Sequence, residues 1–114
     1  MNTKSDPAAA TIRAAGDSSK SEGQFIVSGT LGFDTVPDLL KQVKRQFAAV
    51  DSVVIDFSGV VSCNSAALAL ILEITRMMWQ QRKTVWFRSL PEEIRTFARA
   101  YSVEKELTDA GILC

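Results

Sequence analysis

Residues 52–72 join two kinds of apolar pattern, and few folds accommodate both. The segment 52–59 (SVVIDFSG) is a short apolar run bounded by polar residues, which is typical of a strand buried on both faces. The polar pair Asn64-Ser65 then precedes seven consecutive apolar residues, AALALIL at 66–72. The segment therefore predicts a buried strand, a short polar turn, and a helix that packs on the sheet.

The other strands are predicted from shorter patterns. Residues 24–33 (QFIVSGTLGF) favour β-structure but are interrupted by Gly29 and Gly32, so we expect a strand, a turn or bulge, and a second short strand. Residues 84–89 (TVWFRS) predict another buried strand.

Helical patterns separate these strands. Residues 34–50 predict a helix, with Asp34 or Thr35 as its cap, and Pro91 opens a last helix. The element order is then β-β-α-β-α-β-α, an α/β fold with a mixed sheet and helices packed against it. Residues 1–22 have few large apolar side chains and predict a flexible N-terminal tail, so we place the domain at residues 23–114.

Composition excludes several classes of function. The chain of 114 residues has 13 basic and 13 acidic side chains, which argues against nucleic-acid binding through a strong overall positive field. It has no histidine, and its two cysteines, Cys63 and Cys114, form no CxxC, so we expect no metal and no cofactor. The longest apolar run is far too short to span a bilayer and no apolar signal segment is present, so we expect a cytoplasmic protein.

The junction at Asn64 and Ser65 has two interpretations. Both side chains can accept hydrogen bonds from the free N–H groups of the first helical turn, and this capping role alone would explain them. The positive end of the helix dipole also suits an anion, such as a phosphate attached to Ser65. Capping is the simpler interpretation of the residues by themselves.

The helix after Ser65 has three sides. One predicted stripe faces the sheet, and it comprises Ala67, Ile71, Ile74 and Met78. A polar side faces water, and it comprises Glu73, Arg76, Gln80 and Lys83. Leu68, Leu72 and Trp79 form a third row, which either packs against a neighbouring helix or forms an apolar patch where a partner protein docks, with Trp79 as a plausible anchor.

The segment SVVIDFSGVVSCNSAALALILEI resembles the central part of STAS domains, the fold of bacterial anti-sigma factor antagonists. FIVSGTLGFDTVPDLL is similar to the first two strands and first helix of that family. The resemblance implies a STAS-like mixed sheet with helices mainly on one face, and function by protein–protein contact without catalysis. Asn64 stands where the family has Asp, and Ala66-Ala67 replace its x-Gly, while Ser65 occupies the position of the phosphorylated Ser/Thr.

Two functions follow from the resemblance. The first is a cytoplasmic STAS subunit of an Mla-type phospholipid ABC transporter, which would bind and support the ATPase and sit at the inner membrane through it. The candidate contact residues are Ser65, Asn64, Leu68, Leu72 and Trp79. The alternative is an anti-sigma factor antagonist whose partner, a serine kinase, phosphorylates Ser65. A nucleotide-binding domain is a third possibility, and the absence of a phosphate-binding loop counts against it.

Overall fold

The computed structural model describes residues 10–15, 22–101 and 105. These residues form one four-stranded sheet and three helices, in the order β-β-α-β-α-β-α. The elements are β1 Thr11–Ala14, β2 Glu22–Leu31, α1 Val36–Phe47, β3 Ser52–Cys63, α2 Ala66–Gln80, β4 Thr84–Arg88 and α3 Glu92–Ala100. The predicted α/β class and element order are confirmed.

The sheet is mixed, as predicted. Its strand order is β1-β2-β3-β4; β1 is antiparallel to β2, while β2 with β3 and β3 with β4 are parallel. Parallel neighbours need a crossover connection, and α1 and α2 supply the two that are required. Because β3 is followed directly by α2, the chain leaves the sheet at Cys63 and enters the helix within two residues.

The core lies on one face of the sheet. Alternate side chains of β2 and β3, such as Val27 and Ile55, are buried, whereas the intervening Gln24 is exposed and Val54 is half-buried. The buried helical residues face the same core, among them Leu39, Val43, Phe47, Ile71, Ile74, Met78, Ile94 and Ala98. In the described part of the chain the helices therefore cover one face and leave the other face open.

The first two strands differ from the prediction. Residues 24–33 were expected to form two strands, but β2 is one strand of ten residues with shifts in its register against β3. The strand that precedes it is β1, inside the predicted tail, where Ile12 is 3% exposed and pairs with Val27. The tail prediction is wrong for 11–14, and the domain begins before Gly23; residues 1–9 and 16–21 lie outside the described residues.

The reason for this error is that β1 is held by distant contacts. A strand of four residues with one large apolar side chain has too little periodicity to be recognised. Its stability comes from pairing with β2 and from Gln46 on α1, whose Nε2 donates a hydrogen bond of 2.9 Å to the carbonyl of Ile12.

β4 is also not the buried strand that was predicted. It pairs with β3 alone among the described strands, so it is an edge strand. Trp86 is 53% exposed on the open face, and Val85 and Phe87 are half-buried against the helices. No helix in the described residues is long and apolar enough to cross a membrane.

Candidate docking surface

Asn64 is the residue that caps α2. Its side-chain Oδ1 accepts a hydrogen bond of 2.8 Å from the N–H of Ala66, and its own N–H donates to the carbonyl of Leu31 at 2.9 Å. Gly32 packs against the same side chain, since a Cβ at residue 32 would lie 3.2 Å from Nδ2 of Asn64. Asn64 is thus held from both sides and completes the helix terminus.

Ser65 does not cap the helix. Its backbone already has helical dihedral angles, φ −63° and ψ −14°, whereas a capping residue usually has extended ones. Its hydroxyl makes no capping hydrogen bond and has no other partner within the described residues. The side chain is partly exposed. The capping interpretation therefore accounts for Asn64 but leaves the hydroxyl of Ser65 available for an external group.

The first turn of α2 offers no free N–H groups to a phosphate. The N–H of Ala66 donates to Asn64 Oδ1, that of Ala67 to the carbonyl of Asn64 at 3.0 Å, and that of Leu68 to the carbonyl of Ser65 at 3.1 Å. A phosphate site at a helix terminus depends on such groups being unoccupied. This arrangement counts against nucleotide binding at the junction.

The three candidate contact residues within α2 differ in their exposure. Leu68 is 3% exposed and belongs to the core, so it is removed from the candidate contact residues. Leu72 is half-buried and Trp79 is 59% exposed. Ser65, Leu72 and Trp79 are spaced by seven residues and so lie along one side of the helix, over a length of about 20 Å.

The reason Leu68 differs from Leu72 is its angular position. At about 100° per residue, Leu68 lies roughly 40° nearer than Leu72 to the centre of the sheet-facing stripe, and it is buried together with that stripe in the core. The stripe itself was predicted correctly: Ala67, Ile71, Ile74 and Met78 are all fully buried.

Glu73 and Arg76, on the polar side of α2 next to this row, form an ion pair. Arg76 donates three hydrogen bonds to Glu73, two from Nη2 to the two carboxylate oxygens at 2.8 and 2.7 Å and one from Nε to Oε1 at 3.3 Å. These hydrogen bonds lower the pKa of Glu73 and raise the pKa of Arg76. We call the accessible surface formed by Asn64, Ser65, Ala69, Leu72, Arg76 and Trp79 the α2 surface. It is apolar at its far end, polar at the junction, and close to neutral.

Two exposed apolar residues in the segments that lead to the junction were not predicted from the sequence. Phe33 is 69% exposed and follows Gly32, the residue that packs on Asn64. Val61 is 78% exposed at a shift in the β2–β3 register. An aromatic residue in a polar turn was a usable signal for Phe33, whereas Val61 stands in an apolar run that reads simply as strand.

Thr35 holds the turn that contains Phe33. Its hydroxyl accepts a hydrogen bond of 2.9 Å from the N–H of Gly32 and donates one of 2.7 Å to the carbonyl of Thr30. Thr35 is at the N-cap position of α1, one of the two residues predicted for it, but its side chain makes no hydrogen bond to the helix. Its hydroxyl instead fixes the turn that presents Phe33.

Cys63 lies directly before the junction and is half-buried. Burial, followed by the negative charge of Glu93, raises the pKa of the Cys63 thiol, which favours the unreactive protonated form. Cys114 lies outside the described residues. No group of three metal-binding side chains occurs in the described ranges.

Comparisons with known proteins agree with this geometry. The family model described as "Mlab, STAS domain" matches residues 14–112. A search of curated proteins finds no significant match. Among solved structures, the unphosphorylated anti-sigma factor antagonist SpoIIAA is similar with a TM-score of 0.60 and 11% identity, covering 90% of this chain and 99% of that one.

Two further structures have the same fold. Phosphorylated SpoIIAA from Bacillus gives a TM-score of 0.62 with 13% identity over 86% of this chain and 96% of that one. An antisigma-factor antagonist STAS domain from Rhodobacter sphaeroides gives 0.52 with 21% identity over 68% and 86%. These likenesses establish the fold, and the family model covers most of the sequence. This chain belongs to the STAS domain family.

Proposed function

We propose that this protein is a non-enzymatic interaction subunit that binds its partner through the α2 surface. The observation that carries the proposal is the division of roles between two neighbours: Asn64 caps the helix, and the partly exposed hydroxyl of Ser65 has no partner in the described residues. A hydroxyl that the fold does not use can form a hydrogen bond across an interface. Trp79, 59% exposed on the same side of the helix, supplies a large apolar anchor.

The partner that we propose is the ATPase subunit of an Mla-like phospholipid ABC transporter, which maintains outer-membrane lipid asymmetry. The description of the matching family, "Mlab, STAS domain", supports this choice. The paired charges of Glu73 and Arg76 also support a stable docking contact, because a nearly neutral surface is desolvated at lower cost than one with unpaired charges. The protein would be cytoplasmic and held at the inner membrane by its partner.

The second candidate is an anti-sigma factor antagonist regulated by phosphorylation of Ser65. The same unpartnered hydroxyl favours it, together with the likeness of fold to SpoIIAA. A phosphate on Ser65 would find no free N–H in the first turn of α2, so its charge would face the partner. Phosphorylation would then weaken a fitted contact by charge repulsion and desolvation.

Affinity purification tests which partner is correct. The full chain is tagged and expressed in its native cells, and co-purifying proteins are identified by mass spectrometry. An ABC ATPase with its permease supports the transporter function, whereas a serine kinase of the anti-sigma type supports the alternative. Recovery of neither with the wild-type chain would contradict both.

Ser65→Ala separates the two candidates further. A docking contact loses one hydrogen bond, so the variant should bind the ATPase several-fold more weakly. A phosphorylation switch loses its off state, so the variant should remain bound to its partner when the kinase is active.

A further inference from the structure

The free edge of the sheet at β4 is the strongest feature that docking on α2 leaves unexplained. β4 runs from Thr84 to Arg88 and hydrogen-bonds to β3 on one side; among the described strands none lies on its other side. An unpaired strand edge presents N–H and C=O groups that can pair with another chain. The question is whether this edge is protected against such pairing.

β4 is short and ends at the charged Arg88, but it lacks the other features that usually protect an edge strand. Its register with β3 is regular over all five residues, without the shifts that interrupt the pairing of β2 and β3. It contains no proline and no lysine. The adjacent Lys83 is turned away, since its Nζ donates to the carbonyls of Phe47 at 3.0 Å and Ala48 at 3.3 Å. The edge strand has a regular register and is apolar at its centre, VWF at 85–87.

The side chains of β4 are incompletely covered. Val85 and Phe87 are half-buried on the helical face, where the ring of Phe87 lies 6.0 Å from that of Phe57. Trp86 is 53% exposed on the open face. A strand added at this edge would cover part of these side chains and would pair with backbone groups of β4 that no described strand pairs with.

A second copy of β4 fits this edge. In an antiparallel arrangement centred on Trp86, the two Trp86 residues face each other, Val85 faces Phe87, and Thr84 faces Arg88. Apolar residues thus meet apolar residues, and no like charges are opposed. A symmetric pairing of this kind closes on itself as a dimer. We propose that two copies of this chain associate through antiparallel β4 strands, forming one continuous sheet.

Disulfide trapping tests the register directly. Opposite residues of antiparallel strands have Cα atoms about 4.5–5.5 Å apart, within the range of a disulfide. Trp86→Cys is made in the full chain with Cys63→Ser and Cys114→Ser, and oxidised mildly. We expect a covalent dimer. The matched control is Arg76→Cys in the same background, an exposed position on α2 that should stay monomeric.

Two further measurements do not depend on the Trp86→Cys variant: the mass of the native chain, and cross-linking at a second pair of positions. Light scattering should give the native chain a mass of about 25 kDa, twice 12.5 kDa, at high concentration. Thr84→Cys with Arg88→Cys changes only exposed side chains and should also cross-link, so failure of Trp86→Cys to fold would not end the test.

Three results would overturn the proposal: a monomer of 12.5 kDa at several hundred micromolar, equal cross-linking of the Arg76→Cys control, or a dimer appearing only after deletion of residues 106–114. The last result would assign the edge to the chain's own C-terminal segment. The cross-linking and light-scattering measurements use this chain alone, with no partner protein present, so the proposed function is tested separately.

Discussion

The division of roles at the start of α2 can be tested by two substitutions at neighbouring residues. Asn64→Ala removes the acceptor of the 2.8 Å hydrogen bond from the N–H of Ala66. Loss of a capping side chain destabilises a protein by about 1 kcal/mol. Asn64 is exposed, so water can partly replace the bond, which limits the loss to that magnitude. For a domain of this size we expect the melting temperature to fall by roughly 4 °C.

Ser65→Ala should leave stability almost unchanged. The hydroxyl of Ser65 has no hydrogen-bond partner in the described residues, and alanine favours a helix slightly more than serine does. The free energy of unfolding should therefore stay within about 0.5 kcal/mol of the wild type. Binding to the ATPase should show a clear loss for Ser65→Ala.

Urea titrations followed by circular dichroism measure the stability of both variants. Asn64→Asp is the matched control, because it keeps the acceptor and adds a negative charge that is favourable at a helix N-terminus. We expect it to be at least as stable as the wild type. The assignment of the cap would be wrong if Ser65→Ala lost 1 kcal/mol or more and Asn64→Ala lost nothing.

Three further predictions concern the fold and its pH dependence. Gly59→Ala should lower the free energy of unfolding by about 2 kcal/mol in urea titrations, because a Cβ there would lie 2.9 Å from the carbonyl oxygen of Val27. Since this contact is with the backbone, removing the nearby side chain by adding Ser28→Ala should not restore the lost stability. Arg82→Gly should raise stability by about 1 kcal/mol in the same assay, since Arg82 has φ 59° at the end of α2; a fall would show that its side chain stabilises the turn. The pKa of Asp56 is held below its ordinary value of 3.8 first by the hydrogen bond from the Ser58 N–H, and also by the charge of Arg88. The contribution of this carboxylate is therefore present above pH 3.8 and lost as the pH falls through its lower folded pKa, so Asp56→Asn should destabilise the chain at pH 7 and differ little from wild type in strong acid.

The sequence was most informative where local pattern and tertiary structure agree. The apolar run 66–72 predicted a buried helix start, and the helical spacing from Ala67 to Met78 identified the residues that face the sheet. α1 and α3 were likewise evident from their spacing, because a helix displays its buried side within a single segment.

The predictions from the sequence were wrong where contacts between residues distant in the chain determine the structure. β1 exists because β2 and Gln46 hold it, and nothing within residues 11–14 reveals those contacts. β4 has an apolar sequence but lies at an edge, which depends on the strand order and not on its own residues. Burial of Leu68 depends on the elements that pack around α2, which are distant in sequence.

The candidate site was only partly predictable for a similar reason. The side chains of Asn64 and Ser65 are both able to cap a helix. Only the hydrogen bond of Asn64 and the backbone angles of Ser65 show which of them does so. The exposure of Phe33 depends on the turn fixed by Thr35, whose hydroxyl could equally have capped α1.

The most direct test of the central claim is the affinity of the co-purified partner for Ser65→Glu. The matched control is Ala49→Glu, an exposed residue before β3, at the opposite end of that strand from the junction. Binding through the α2 surface predicts an affinity at least tenfold weaker for Ser65→Glu, and a change of less than twofold for Ala49→Glu, with both variants folded. Equal affinities for Ser65→Glu and the wild type would show that the partner binds elsewhere.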